Sequence, residues 1–67
     1  GDVYKRQAET QYMQAILNAR LGNEQRAVSL LLSAAEVDDR IRFRANLDPE
    51  LSLLVKKYGL FKEDDLW

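Results

Sequence analysis

A short turn between two segments of helical periodicity restricts the possible folds of this chain more than any other feature. Apolar residues recur at intervals of four, three, one and three positions, at Ala8, Tyr12, Ala15, Ile16 and Ala19. This spacing places them on one face of a helix and does not fit the alternation of a strand. The segment Leu21-Gly22-Asn23 then ends that helix, because Gly22 suits the left-handed residue after a helix and the Asn23 side chain can cap the next one. Since the turn is short, we predict two antiparallel helices packed as a hairpin.

The second helix, predicted over residues 24–36, is apolar around most of its circumference. Its apolar positions are Ala27, Val28, Leu30, Leu31, Leu32, Ala34 and Ala35, followed by Val37. A single partner helix covers only one stripe of apolar residues. Because the apolar residues of this helix extend beyond one stripe, we expect neighbours to pack on it from more than one side.

A short basic segment follows the hairpin. Asp38 or Asp39 is positioned to cap a helix over residues 40–45, where arginine alternates with Ile41 and Phe43. The alternation fits a strand equally well, but a single short strand has no partner to pair with. We expect the arginines to pair with nearby acids such as Glu36 or Asp48.

A second start signal, Asp48-Pro49-Glu50, combines a capping acid, a proline and an acid of the first turn. We predict a helix that begins at Pro49, ends at Gly59 and buries Leu51, Leu54, Val55 and Tyr58. Leu60 and Phe61 form a last apolar anchor before the acidic segment Lys62-Glu63-Asp64-Asp65, and Leu66-Trp67 is expected to be a docked end or a second truncation.

Composition excludes several classes of function. The 67 residues include neither histidine nor cysteine, so the commonest general base, a thiol nucleophile and the usual zinc ligands are missing. There is no glycine-rich phosphate loop, and the adjacent acids at Asp38-Asp39 and 63–65 are typical of solvated caps and tails. We therefore expect no catalytic site, no cofactor and no metal.

Charge and hydropathy argue against two further kinds of partner, nucleic acid and the membrane. A net charge of −1 argues against nucleic acid. The longest apolar stretch, residues 27–35, is far shorter than the roughly 20 residues of a membrane span. With no secretory leader in the sequence, we expect a cytoplasmic protein.

The opening seven residues, GDVYKRQ, are most simply explained as a segment that comes from outside the natural gene. They can be written in codons that resemble the transposase recognition end used in preparing DNA-sequencing libraries, so we interpret residues 1–7 as an adapter-derived tail of a reading frame cut open upstream. The alternative is a genuine N-terminal tail whose Tyr4 packs back on the helix.

Residues 8–38 resemble a tetratricopeptide repeat, a helix hairpin that recurs about every 34 residues. The resemblance rests on its packing positions, which fall on Ala15, Gly22, Ala27, Leu31 and Ala34. The chain departs from the family pattern where larger or apolar residues are usual, at Gln11, Gln14, Asn18 and Asp39. The resemblance implies an all-α fold in which a hairpin of tetratricopeptide type is followed by a short helix and a C-terminal capping helix.

Residues 39–67 are similar to the closing segment of such proteins, which covers the last repeat with a more polar surface. A rival alignment places Gly59 in the turn of a second repeat, but Asp64 would then be a buried, unpaired carboxylate. We favour the cap.

The resemblance also implies a function. First helices of the family line a groove that holds extended peptides, and the matching positions are Glu9, Tyr12, Ile16, Ala19 and Arg20; alternatively, Tyr12 and Ile16 belong only to the core. We expect a protein-interaction module that binds a protein or peptide and stacks on upstream repeats of the same chain. The alternatives are a structural end-piece of a larger enzyme or regulator, and nucleic-acid binding through Arg40, Arg42 and Arg44.

Overall fold

The computed structural model describes residues 2–61, and all regular secondary structure in this range is helical. The helices are α1 (Asp2–Arg20), α2 (Glu24–Val37), α3 (Arg40–Leu47) and α4 (Ser52–Lys57). The all-α prediction is confirmed, and the alternating arginine segment lies in α3 rather than in a strand. Within the described residues, no helix has the length and apolarity needed to cross a bilayer.

The turn between α1 and α2 explains why the two helices lie side by side. Gly22 adopts a left-handed φ of +84°. Its N–H donates to the carbonyl of Ala19 (3.2 Å), and the N–H of Asn23 donates to the carbonyl of Asn18 (2.8 Å). These two bonds form a Schellman motif, which satisfies carbonyls at the end of α1 and reverses the chain.

The predicted side-chain cap at Asn23 is wrong. Asn23 makes no side-chain hydrogen bond to the start of α2, and its Nδ2 instead lies 3.4 Å from Oδ1 of Asn18. The physical reason is that Asn23 serves as the last residue of the Schellman motif, with its side chain directed back to α1.

Alanines bring α1 and α2 close together. Ala15, Ala27 and Ala34 have no exposed surface, and Leu31 and Tyr12 fill the space beside them. Small side chains let two helix backbones approach, so each alanine at the crossing tightens the contact that buries its larger neighbours.

The segment α3–α4 supplies a second layer on α2. The buried set on this side is Ile41, Ala45, Leu51, Leu54 and Val55, with Leu60 and Phe61 packed against it. Thus α2 contacts α1, α3 and α4, as its wide apolar surface predicts, although Leu32 and Val37 stay partly exposed.

Aspartates accept backbone hydrogen bonds just before each of the two short helices. Oδ1 of Asp38 accepts the N–H of Arg40 at 3.1 Å, whereas Asp39, which directly precedes α3, makes no side-chain cap hydrogen bond. Oδ1 of Asp48 accepts the N–H of Glu50 at 2.9 Å, and its carbonyl accepts those of Leu51 and Ser52. The capped turn over residues 49–51 precedes α4, so the helix begins at Ser52 instead of Pro49.

The prediction that Tyr58 is buried is wrong. Tyr58 is the residue at which α4 ends, and its hydroxyl donates to Glu24 at the protein surface (3.2 Å). Gly59 follows with a φ of +64°, and the N–H of Leu60 returns to the carbonyl of Val55 (2.8 Å). The predicted helix end at Gly59 is therefore confirmed.

The two ends of the sequence carry predictions of their own. Helix α1 begins at Asp2 and so includes most of the segment interpreted as adapter. The side chain of Tyr4 is exposed and does not pack back on the helix. The predictions for residues 62–67, including Asp64 and Leu66-Trp67, lie outside the described residues.

Candidate functional site

An apolar groove of about 510 Å³ runs along the outer face of α1. Its floor consists of Met13, Ile16 and Leu17, and its far edge is formed by Glu50 from the turn before α4. The full lining is Glu9, Thr10, Met13, Gln14, Ile16, Leu17, Arg20 and Glu50.

The groove exists because α1 is apolar on two faces. Ala8, Tyr12 and Ala15 point into the core, whereas Met13 and Leu17, four positions apart, lie on the outward side of the same helix. More than half of each of these two side chains is exposed, at 56% for Met13 and 54% for Leu17. Methionine is unbranched and adapts its shape to different partners, so this floor suits an apolar ligand of variable outline.

Two ion pairs border the groove, one near each end. Arg20 Nε lies 2.6 Å from Oε1 of Glu50, and Arg44 Nη1 contacts both carboxylate oxygens of Glu9 at 2.8 and 3.1 Å. The hydrogen bond from Arg20 to Glu50 raises the pKa of Arg20, and that from Arg44 to Glu9 raises the pKa of Arg44. The border is charged but has no net charge.

Tyr12 anchors the groove from below. Its ring has no exposed surface, and its hydroxyl donates to Oδ2 of Asp48 at 2.8 Å. The guanidinium of Arg44 lies 4.2 Å from the centre of the Tyr12 ring, in cation–π geometry. Burial, followed by the contact with Asp48, raises the pKa of the Tyr12 phenol well above its usual range, so it stays neutral and donating.

These contacts connect the α1–α2 hairpin to the segment formed by α3 and α4. Tyr12 reaches the turn between α3 and α4, Arg20 reaches Glu50, and Glu24 in α2 accepts a hydrogen bond from Lys57 in α4 (2.6 Å). The groove is thus held on a framework in which both halves of the protein take part.

The structure brings together three of the five predicted groove residues. Glu9, Ile16 and Arg20 line the groove. Tyr12 belongs to the core, as the alternative interpretation has it, and Ala19 is half-buried against that core. Whether these positions hold a peptide stays a prediction.

The predicted groove set did not include the other five lining residues, which are Thr10, Met13, Gln14, Leu17 and Glu50. Leu17 follows Met13 by one helical turn on the outward face, and this periodicity is visible in the sequence. No local sequence pattern predicts that Glu50 borders the groove, because only the packing of α3 and α4 against the hairpin places it beside Arg20.

The three arginines of α3 each have an acidic neighbour, but not the acids that we predicted. Arg40 pairs with Asp38 (3.1 Å), Arg42 lies 3.6 Å from Asp39, and Arg44 reaches Glu9. The first two acids are adjacent because α3 begins directly after them, and Glu9 is brought in by the packing of α1. The prediction of acidic partners is confirmed, whereas the choice of Glu36 and Asp48 is wrong.

Across residues 2–61, no group of three or more acidic side chains is arranged to hold a metal ion. Comparison with protein-family models, with curated proteins and with solved structures gave no match. The resemblance to tetratricopeptide repeats therefore stays a prediction from the sequence.

Proposed function

We propose that this chain is a non-enzymatic protein-interaction module. In this proposal, α1 and α2 form a hairpin of tetratricopeptide type, and α3 and α4 form the cap that closes a longer helical stack. The positions that carry the resemblance support it: Ala15, Ala27, Leu31 and Ala34 are all fully buried, and Gly22 makes the left-handed turn.

The single observation that carries the proposed function is the groove over Met13 and Leu17. Large apolar side chains that remain half-exposed in a continuous groove are typical of surfaces that bind protein or peptide. The paired charges at its border add specificity without opposing an apolar ligand. We propose that it binds an apolar segment of a partner protein.

The test is a selection of peptides from a random displayed library against the chain at low concentration. Enriched peptides are then measured by fluorescence anisotropy against Leu17→Asp and against a matched control, Leu53→Asp. Leu53 is 72% exposed on α4 and does not line the groove, so both variants place one carboxylate on an exposed helix face.

We expect Leu17→Asp to weaken binding about tenfold or more, because truncating or charging a central apolar contact costs at least this much. The control is expected to bind like the parent chain. The proposal fails if no peptide is enriched, or if Leu17→Asp binds as well as the control.

A second candidate is a structural end-piece of a larger protein. The observation that favours it is the same outward row on α1, since a preceding helix of the same chain would also cover Met13 and Leu17. Sequencing the uncut gene and repeating the peptide selection on the full chain distinguish the two: further repeats upstream with peptide binding retained support the interaction module, whereas a catalytic domain with the groove covered supports the end-piece.

A further inference from the structure

We infer that the α1 groove also receives the α1 helix of a second copy of this chain, so that the protein forms a weak, symmetric, antiparallel dimer. The occupant is assigned from the arrangement of charge and apolar groups along α1, which is complementary to itself.

The apolar floor favours a helix as occupant over an extended strand. An extended backbone laid on Met13, Ile16 and Leu17 would lose water from its N–H and C=O groups and gain few partners in return. A helix satisfies its backbone groups internally and presents side chains alone. The floor positions are spaced three and four residues apart, which is the spacing of a seam between two helices.

The charged groups identify which helix fits. Along the part of α1 that lines the groove, the acid Glu9 comes first, the apolar residues follow, and the base Arg20 comes last, about 16 Å further along the axis. A helix of the same order laid antiparallel places its base beside Glu9 and its acid beside Arg20. The α1 helix of a second copy has this order.

The existing ion pairs remain intact in such a dimer. Glu9 and Arg20 are the more exposed members of their pairs, at 55% against 48% for Arg44 and 65% against 36% for Glu50. Glu9 can therefore meet Arg20 of the partner subunit without leaving Arg44. The result is a row of alternating charges, and the two-fold axis repeats that row on the other side.

The contact is small. One helix face with three apolar side chains is below the roughly 800 Å² per partner of a standard interface, so we expect a dimer that forms only at high concentration and weakens with salt. Because dimerisation covers Met13 and Leu17, it competes with the peptide binding proposed above.

Two charge reversals test the arrangement in the full chain. Glu9→Lys creates like-charged contacts at both ends of a homodimer, and so does Arg20→Glu. When the two variants are mixed, the lysine of the first faces the new glutamate of the second, and the unchanged Arg20 of the first faces the unchanged Glu9 of the second. We expect each variant alone to dimerise about tenfold more weakly than the parent chain, and the mixture to recover.

Sedimentation equilibrium at low salt measures all three samples, and Leu17→Asp with its control Leu53→Asp completes the set. Leu17→Asp is expected to be monomeric and Leu53→Asp to dimerise normally. A monomeric parent chain at millimolar concentration, a mixture that stays monomeric, or a dimer lost in Leu53→Asp would each overturn the inference. None of these outcomes affects the peptide selection, which is made on dilute chain.

Discussion

Replacing Tyr12 with phenylalanine removes one oxygen from the contact that joins α1 to the turn between α3 and α4. The ring remains buried beneath Arg44, so the packing and the cation–π contact are retained. What is lost is the 2.8 Å hydrogen bond to Asp48, whose carboxylate is half-buried. Hydrogen bonds to charged groups contribute about 1.5–3 kcal/mol, and water partly replaces this one, so we expect a loss of about 1–2 kcal/mol.

This loss is large for so small a protein. A chain of this length has a free energy of unfolding of about 3–10 kcal/mol. We therefore expect Tyr12→Phe to lower the melting temperature by about 4–8 °C for each kcal/mol lost. Urea unfolding followed by circular dichroism gives the change in free energy directly.

The same contact predicts a dependence on alkaline pH. Burial raises the pKa of Tyr12 above its ordinary value of 10.0, so the folded state holds a proton that the unfolded state releases. The stabilisation is complete below pH 10.0 and is lost as the pH rises beyond it. Tyr12→Phe has no phenol to titrate at this position, so the difference in free energy of unfolding between this variant and the parent chain becomes smaller above this pH.

Tyr58→Phe is the matched control, because the hydroxyl of Tyr58 contacts Glu24 at an exposed site and its loss is expected to cost under about 0.5 kcal/mol. The reasoning is refuted if Tyr12→Phe is as stable as this control at neutral pH. A difference between Tyr12→Phe and the parent chain that stays constant through pH 10.0 would refute the assignment of the raised pKa.

Three further changes test other parts of the structure by urea unfolding. Ala34→Leu forces a larger side chain into the fully buried helix crossing and is expected to cost about 1–3 kcal/mol; unchanged stability would mean that the helices are not in close contact. Gly22→Ala places a side chain at a φ of +84° in open space, so only backbone strain, about 1 kcal/mol, is expected, and Gly22→Asn should cost less. The hydrogen bond from Lys57 lowers the pKa of Glu24, so the stability that this ion pair contributes is present above pH 4.5 and is lost as the pH falls below it. Glu24→Gln should therefore lose less stability on acidification than the parent chain does. If the two chains lose stability equally with falling pH, the ion pair does not contribute as described.

The hairpin was predictable from sequence because its signals are local. The intervals between Ala8, Tyr12 and Ala15 repeat along a helix, and the left-handed Gly22 follows from its lack of a side chain. The cap of α3 at Asp38 is likewise set by residues two positions apart.

The errors concern contacts between distant segments or competition at one residue. Asn23 has a side chain suited to capping, but its backbone is used by the motif that ends α1. Tyr58 has the spacing of a buried residue, yet it lies where α4 ends and the surface begins. Which acids lie beside Arg44 and Arg20 depends on how α3, α4 and the turn between them pack on α1. No local sequence pattern predicts that packing.

The residues of the candidate groove also fall into two groups, those identified from the sequence and those that only the structure shows. Glu9, Ile16 and Arg20 were identified from a resemblance, and a core position for Tyr12 was the alternative prediction, whereas the border formed by Glu50 appears only in the folded chain. A helix with two apolar faces leaves open which face is covered.

Residue type and short-range spacing are enough to specify the helices, the reversal at Gly22 and the lack of histidine and cysteine chemistry. They do not specify which face of α1 is buried and which forms the groove, because both faces are apolar. That choice depends on long-range packing: α3, α4 and the turn between them dock on one side of the hairpin through Tyr12 and Asp48, and this docking leaves Met13 and Leu17 uncovered.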